Sequence, residues 1–344
     1  MTTQTGTLRC GVVGVGKMGR HHARLWTQIE GCDLVGVVDT SAERRQAVLD
    51  QYGGKGYDTV DQLLAAGVDV VTIATPTVHH RAAAERLLAG GVHCLIEKPL
   101  APTPQEARAI ADAAARSGAL LQVGHVVRYD PVMMAIRALQ LKPRFVEVDR
   151  ISPMTFRSVD VGVVLDMMIH DIDVLLMLFG SEPTTVHASA VSVLGEAEDV
   201  CNARLEFPRM ADGYTPVANV TASRLAMKTE RKIRVMSDDT YVSADFVDRK
   251  GTVARKHANA AKIAEVRELL KQGADLSHLN FLDLLQVEPL EVTSGEPLKL
   301  QAQDFVDAVR TGRRPFVDAE DGFAAVRTAD RIVEAARAAG ARMV

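Results

Sequence analysis

The stretch VLDMMIHDID, Val164–Asp173, sets three carboxylates and an imidazole into an otherwise apolar run. Read as a helix, it places Asp166, His170 and Asp173 in one narrow stripe, while Leu165, Met168, Ile169, Ile172, Leu175 and Leu176 cover much of the rest. An imidazole titrates near neutrality and suits the removal of a proton. A carboxylate one turn earlier can orient the ring and stabilise its protonated form, as in a catalytic triad. His170 and Asp166 are therefore a candidate base and its orienting partner. The alternative is a buried histidine satisfied by the carboxylate four residues before it. Asp171 points about 100° away from the stripe and reads as structural. Asp173 either supports the pair from behind or is structural.

The elements that must position such a pair begin at the N-terminus. LRCGVVGVGKMGRHHARL runs from an apolar strand through Gly14, Gly16 and Gly19 into a helix. A second strand is expected at Asp33–Val38, with Asp39 at its end, twenty positions past Gly19. A GxGxxG between strand and helix, followed by an acidic residue at that distance, predicts dinucleotide binding. Gly14 makes the turn, Gly16 admits the pyrophosphate, Gly19 allows close packing, and the helix N-terminus faces the phosphates. Asp39 would accept the adenosine ribose hydroxyls and repel a 2′-phosphate, favouring NAD over NADP. Arg44 and Arg45 fit a solvated helix face. The rhythm continues with strands at Asp69–Ala74, His93–Ile96 and Ala119–Val123 and helices at His79–Leu88 and Pro104–Arg116, which predicts a parallel sheet covered on both faces. ATPT, EKP and GH each end one of these strands, where such sheets bind ligands. Thr75, Pro76, His79, Glu97 and Lys98, with Lys17 and Met18 of the first loop, join the three glycines and Asp39 as expected cofactor contacts.

A chain of 344 residues is long enough for two domains, and 47% hydrophobic with 24% charged residues is ordinary globular usage. A net charge of −4 gives no general basis for nucleic-acid binding. The basic stretch RLAMKTERKIR, Arg224–Arg234, alternates like an edge strand with a solvated face. Cys10, Cys32, Cys94 and Cys201 lack metal-like spacing, so no metal is expected, and free thiols suit a reducing cytoplasm. The N-terminus is too polar for a signal peptide, and no run reaches the roughly 18 apolar residues of a membrane span. No membrane partner is expected.

GxGxxG with Asp39, EKP at Glu97–Pro99, GHVVRYDP at Gly124–Pro131 and the DxxxH of Asp166 and His170 together resemble the Gfo/Idh/MocA family of NAD(P)-dependent sugar and polyol oxidoreductases, over essentially the whole chain. The resemblance implies an α/β protein. Residues 1–124 would form an NAD-binding Rossmann domain, a doubly wound parallel sheet. Residues 125–344 would form a substrate-binding and oligomerisation α/β domain with a large, mainly antiparallel open sheet. The period-two pattern of CNARLEF, with Cys201, Ala203, Leu205 and Phe207 on one side, agrees independently. NAD is the implied cofactor, a sugar or nucleotide sugar the implied small-molecule partner, and a homodimer or homotetramer the implied assembly. Oxidising a secondary alcohol needs a base for the hydroxyl proton and a cation for the developing alkoxide. Lys98, His170 and Asp166 are the catalytic set in this reading, and the stripe on VLDMMIHDID faces the nicotinamide and substrate. Lys98 alone could also be a surface lysine at a strand end. His125, Arg128 and Tyr129 would contact substrate or cofactor, although Arg128 and Tyr129 fit equally well as residues fixing the domain junction. Trp26 is better explained by packing than by stacking on a sugar.

Three stretches, RISPMTFRSVDVGVVLDMMIHDID, NVTASRLAMKTERKIRVMSDDTYVSADF and LQAQDFVDAVRTGRRPFVDAEDG, are similar to the branch that oxidises the 3-hydroxyl of UDP-N-acetylglucosamine. The 3-keto product of that branch is aminated for lipid A biosynthesis. Arg157, Arg224 and Lys228 are then candidate cations for the substrate diphosphate. RMADGYTPVANV departs from the expected short hairpin turn. The charged segment from Lys250 to His278 reads as a peripheral excursion or a lid. Dehydrogenases of another sugar or an inositol, and a non-catalytic NAD-binding regulator, are the alternatives. Keeping Lys98, Asp166 and His170 together favours an enzyme.

Overall fold

The computed structural model describes residues 6–155, 161–193, 197–256, 260–277, 279–280 and 284–341. They pack as two compact units: Met1–Tyr129 with Glu296–Asp330, and Asp130–Gly295 with Arg331–Val344.

In the first unit, strands β1 (Leu8–Val13), β2 (Cys32–Val38), β3 (Lys55–Tyr57), β4 (Val70–Ile73), β5 (His93–Glu97) and β6 (Leu121–Gly124) form a parallel sheet in the order β3-β2-β1-β4-β5-β6. The order reverses at β1 and β4, which opens a crevice at their carboxyl ends. β4 and β6 are buried throughout because helices cover both faces. Helix starts follow local chemistry. Ser41 caps Ala42–Tyr52 through Arg44 N, Thr59 forms a capping box with Gln62, and Thr103 caps Pro104–Ser117 with proline at the first turn. Trp26 is fully buried and donates to Thr72 Oγ1 at 3.1 Å, which is the packing role expected of it.

The 1–124 and 125–344 division differs from these units because residues 296–330 return to the first. The helix Pro297–Thr311 buries Ala302, Phe305, Val306 and Val309 in the same core as Leu8, Leu25 and Trp26. Val123 N donates to Val317 O, and the Gln122 and Gln301 amides donate to the Gln301 and Val123 carbonyls. An amphipathic helix carries no signal in its own sequence about which of two cores it will join.

The second unit holds β7 (Phe145–Ile151), β8 (Thr185–Val191), β9 (Val200–Glu206), β10 (Val217–Ser223), β11 (Glu230–Met236), β12 (Thr240–Asp245), β13 (Lys250–Arg255) and β14 (Gln286–Pro289). Their order is β14-β13-β12-β11-β7-β10-β9-β8, antiparallel except for the β7 and β10 pair. Cys201, Ala203, Leu205 and Phe207 are all buried on one face, as their spacing requires. Two expectations change here. β11, the basic stretch, is not an edge strand, since β12 and β7 flank it. It keeps a solvated face because Lys232 and Arg234 alternate with buried Ile233 and Val235. Lys250–Arg255 is a strand of the sheet, while the helix Ala260–Lys271 that follows buries no residue and is the peripheral part. His278 lies outside the described residues. RMADGYTPVANV leaves β9 through a turn closed by Phe207 N on Pro216 O and Met210 N on Tyr214 O. Arg144 pairs with Asp212 of that turn and with Asp238. Among the described residues no helix is long and apolar enough to cross a membrane, and no group of His, Cys, Asp and Glu is placed to hold a metal ion.

Candidate active site

In the first unit, a cavity of about 670 Å³ opens at the carboxyl ends of β1, β2 and β4, lined among others by Gly14, Gly16, Asp39, Thr75, Pro76 and His79. The glycines differ in what they allow. Gly14 has φ +85°, and a Cβ there would sit 2.7 Å from Thr75 N. A Cβ on Gly19 would lie 1.8 Å from Gly14 O, so helix and strand touch only because it is absent. A Cβ on Gly16 would meet nothing within 4 Å, so this glycine keeps the cradle itself open. The helix Lys17–Trp26 begins there with no side-chain cap, leaving its N-terminus to an anion. Thr75 Oγ1 is buried and makes no hydrogen bond among the described residues, so the pocket wall offers an unused polar atom. This cradle fits a dinucleotide. Lys17 and Met18 stand exposed at the helix start.

Asp39 Oδ2 accepts from Val15 N and Oδ1 from Ser41 N, both at 2.9 Å. Burial raises its pKa, but hydrogen bonds from Arg44, Ser41 and Val15 outweigh that and hold it below the ordinary carboxylate value. Arg44 is not simply on a solvated helix face. Its Nη2 donates to Asp39 Oδ1 at 2.7 Å, and it lines the cavity. Arg45 also turns inward, to the Asp39 carbonyl and to Asp58. The Asp39 carboxylate draws in Arg44 and its carbonyl accepts from Arg45, pulls that sequence position alone does not show.

At the end of β5, Glu97 turns its carboxylate inward rather than toward the cavity: Oε1 lies 2.7 Å from His22 Nε2, and both residues are buried. Lys98 beside it is half-buried. Two histidines that the sequence reading missed hold this region. His22 falls three residues after Gly19, on the same buried face as Ala23 and Trp26, and that spacing is the signal that could have found it. His80 places Nε2 3.0 Å from Thr75 O and Nδ1 3.1 Å from Pro99 O, joining the loops after β4 and β5. Burial lowers its pKa. Its neighbour His79, the expected contact, is exposed on the cavity.

At the end of β6, His125 is fully buried. Arg128 and Tyr129 are 3% and 5% exposed, so little of either is available to a ligand. Arg128 Nη1 donates to Phe316 O at 3.1 Å and pairs with Asp321, and Tyr129 Oη donates to Asp304 Oδ2 at 2.7 Å. These partners all come from the returning segment, so the two residues fasten that segment within the first unit.

The second unit carries Asp166 and His170, both half-buried. Val164–Met168 is a π-helical turn rather than the start of a regular α-helix, which begins at Ile169 and runs to Phe179. Wider turns of this kind often mark functional sites. Its start is braced by the residue two before β9: Glu198 accepts from Val164 N at 3.0 Å through Oε1 and from Val163 N at 2.9 Å through its carbonyl. Gly162 makes room for this carboxylate, since a Cβ there would lie 2.1 Å from Glu198 Oε1 and push it aside. Arg224, expected as a substrate cation, belongs to this brace. It is 5% exposed, with Nε on Asp199 Oδ1 and Nη1 on Val161 O, both at 2.7 Å. A buried guanidinium must have such partners, and they leave it no role at a substrate phosphate. Lys228 is exposed and paired with Glu230. Arg157 lies outside the described residues. Asp171 is structural as expected, taking two 2.7 Å bonds from buried Arg150. Asp173, on the stripe, is fully buried.

Comparison with known proteins places this geometry. The model of the Gfo/Idh/MocA oxidoreductase family with NAD-binding Rossmann fold matches residues 8–125, and that of the Gfo/Idh/MocA C-terminal domain matches residues 136–242. A UDP-N-acetylglucosamine 3-dehydrogenase from Acidithiobacillus ferrooxidans is 33% identical over 316 residues, 92% of this chain and 93% of its own. An inositol 2-dehydrogenase from Rhizobium meliloti is 26% identical over 341 residues, 95% of this chain and 96% of its own. The solved structure of the Acidithiobacillus enzyme matches with a TM-score of 0.83 at 32% identity, covering 96% of this chain and 98% of that one. Levoglucosan dehydrogenase, solved with NADH, shares the fold with a TM-score of 0.78 at 19% identity, covering 96% and 97%. A dinucleotide cradle, two matched family domains and a relative similar along almost the whole chain lead to one conclusion: the chain belongs to the Gfo/Idh/MocA family of NAD-binding oxidoreductases.

Proposed function

We propose that this NAD-dependent sugar dehydrogenase oxidises the 3-hydroxyl of UDP-N-acetylglucosamine to the 3-keto sugar. The observation that carries the reading is the 33% identity, over 92% of the chain, to an enzyme named for that reaction, against 26% for an inositol dehydrogenase of similar coverage. Bound NAD would supply the hydride acceptor. Gly14, Gly16, Gly19 and the helix start would hold its diphosphate, and Asp39 its adenosine ribose. His170 takes the hydroxyl proton, Asp166 steadies the imidazole, and Lys98 stabilises the charge developing on the oxygen. The diphosphate of the sugar must find cations other than Arg224. The product would feed an aminotransferase of lipid A biosynthesis. The chain works in this reading as a homodimer or homotetramer in the cytoplasm, where its four free, buried cysteines stay reduced.

The test is incubation of the purified protein and NAD with a panel of UDP-sugars, free sugars and inositols while NADH absorbance is followed. Turnover on UDP-N-acetylglucosamine at least tenfold above the rest supports the assignment. Preference for a free sugar or an inositol replaces the substrate and keeps the chemistry. NAD binding with no turnover on any alcohol would leave a regulator.

A further inference from the structure

β11 turns its cations to two different faces. Lys232 and Arg234 point to the solvated side of the sheet, where Arg234 pairs with Glu147. Arg231 alternates in step with the buried Ile233 and Val235, so it belongs to the covered side. There it stands directly opposite Arg150 in the antiparallel register of β11 and β7. The Arg150 guanidinium is already committed, donating two 2.7 Å bonds to Asp171. Arg231 has no ion pair and no side-chain hydrogen bond among the described residues. Like charges placed opposite each other across two strands repel. Burial and the Arg150 charge accordingly pull the Arg231 pKa below its ordinary value, with Asp171 and Asp130 opposing. A cation kept without a partner on a covered face is costly, and an incoming anion relieves that cost. Arg231 is still exposed enough for such an anion to reach it.

The place of Arg231 in the sheet says which anion. It stands next to the start of β11, level with the last residues of β7. Ser152, the first residue after β7, donates from Oγ to Met167 Sδ at 3.8 Å, which holds the π-turn bearing Asp166 at this same end. Asp171, held by Arg150, adjoins His170. The unpaired guanidinium therefore shares its end of the sheet with the base and its partner. We propose that Arg231 is a substrate-binding residue that takes the diphosphate of the sugar nucleotide. The proposal rests on the nucleotide-sugar reading and supplies the cation that Arg224, closed off by Asp199 and the Val161 carbonyl, does not. The paired N–H groups of a guanidinium match two phosphate oxygens, and the added negative charge offsets the repulsion between Arg231 and Arg150.

The experiment titrates UDP into the full chain saturated with NAD, by calorimetry. Arg231→Ala and Arg231→Gln should bind UDP about tenfold or more weaker than the wild type, the usual scale for losing a charged hydrogen bond. Arg231→Lys, which keeps the charge and loses the fork, should fall between. Arg234→Ala, on the opposite face of the same strand, should bind UDP as the wild type does, and NAD affinity should stay unchanged throughout. The melting temperature of Arg231→Ala should equal or exceed that of the wild type, because the repulsion with Arg150 is gone, whereas a structural arginine would lower it. A wild-type protein that binds UDP, with Arg231→Ala and Arg231→Gln binding it equally well, overturns the inference and leaves the substrate reading standing. A loss of NAD affinity in these variants also overturns it, by placing the guanidinium at the cofactor. A wild-type protein that does not bind UDP removes the nucleotide-sugar reading, and this inference with it.

Discussion

The two sheets handle polar residues in opposite ways. In the parallel sheet both faces are covered, so β4 and β6 are buried end to end, and polar side chains gather where strands stop: Asp39 after β2, Thr75 after β4, Glu97 and Lys98 at the end of β5. In the open sheet one face stays solvated, and polar residues recur at every second position, as in the alternating burial of β7 and β9. A polar residue in the first unit is therefore informative by position alone. In the second unit burial picks out the structural ones, as it does Asp171, Glu198 and Arg224.

The largest test of that contrast concerns charge in the second unit. Asp171→Ala leaves Arg150 buried without its partner, and breaking such a pair costs about 3–5 kcal/mol. Glu147→Ala on the solvated face of the same sheet removes an exposed pair with Arg234, worth about 0–1 kcal/mol. Chemical unfolding of both variants should separate them clearly. Equal losses would mean that burial does not rank the charges of this sheet.

Catalysis comes next. His170→Asn should lower kcat by about a hundredfold, near 2.7 kcal/mol, with NAD affinity within a factor of about two, because no cofactor contact is assigned to His170. Asp166→Asn should cost less if it only orients the ring. The kcat/KM profile should lose an ionisation near neutrality in the His170 variant. A folded His170→Asn protein with near-normal turnover ends the assignment.

How far the sequence could be read follows the same division. The glycine loop, Asp39 and the alternation of strands and helices were legible because each depends on a local rule: a positive φ, a helix start, a period. The short strand β3 and the return of residues 296–330 were not, since both are decided by which surface remains to be covered. Arg224 looked like a ligand because an arginine beside a site motif carries the same letters whether it meets substrate or a buried aspartate. The π-turn at Val164–Met168 was invisible for a related reason: Asp166 and His170 keep their spacing in either helix, and the residue that braces its start, Glu198, lies 34 residues from Val164.

Within the cofactor cradle, Gly14→Ala should strain a residue at φ +85° and drive a methyl group against Thr75 N. A non-glycine residue held there costs about 1–3 kcal/mol of folding, so the melting temperature should fall measurably, and calorimetry should show NAD affinity down tenfold or more. Gly16→Ala meets no protein atom within 4 Å and should leave the free protein's stability nearly unchanged while hindering the diphosphate. Equal melting losses in the two would contradict the division between turn and cradle.

The smallest effect belongs to Arg44. Its guanidinium is about half exposed and screened by water, so pairing with Asp39 contributes little to folding, and Arg44→Ala should barely move the melting temperature. Its consequence lies in cofactor choice. Asp39 offers the ribose an ionised carboxylate, whereas Arg44, on the same wall of the cavity, offers a cation to a 2′-phosphate. Removing the cation should weaken NADP several-fold more than NAD and widen the preference for NAD, while Asp39→Ala should weaken NAD and narrow it. The pH dependence has a definite sign. Because the folded Asp39 acid lies below its ordinary value, the stability it contributes is present above that ordinary value and is lost as pH falls through the folded one. NAD affinity should therefore be flat near neutrality and decline only on the acid side, and Asp39→Ala should flatten that decline. Calorimetric titration of both nucleotides decides it: an unchanged ratio of NAD to NADP affinity in Arg44→Ala would show that the guanidinium serves Asp39 alone.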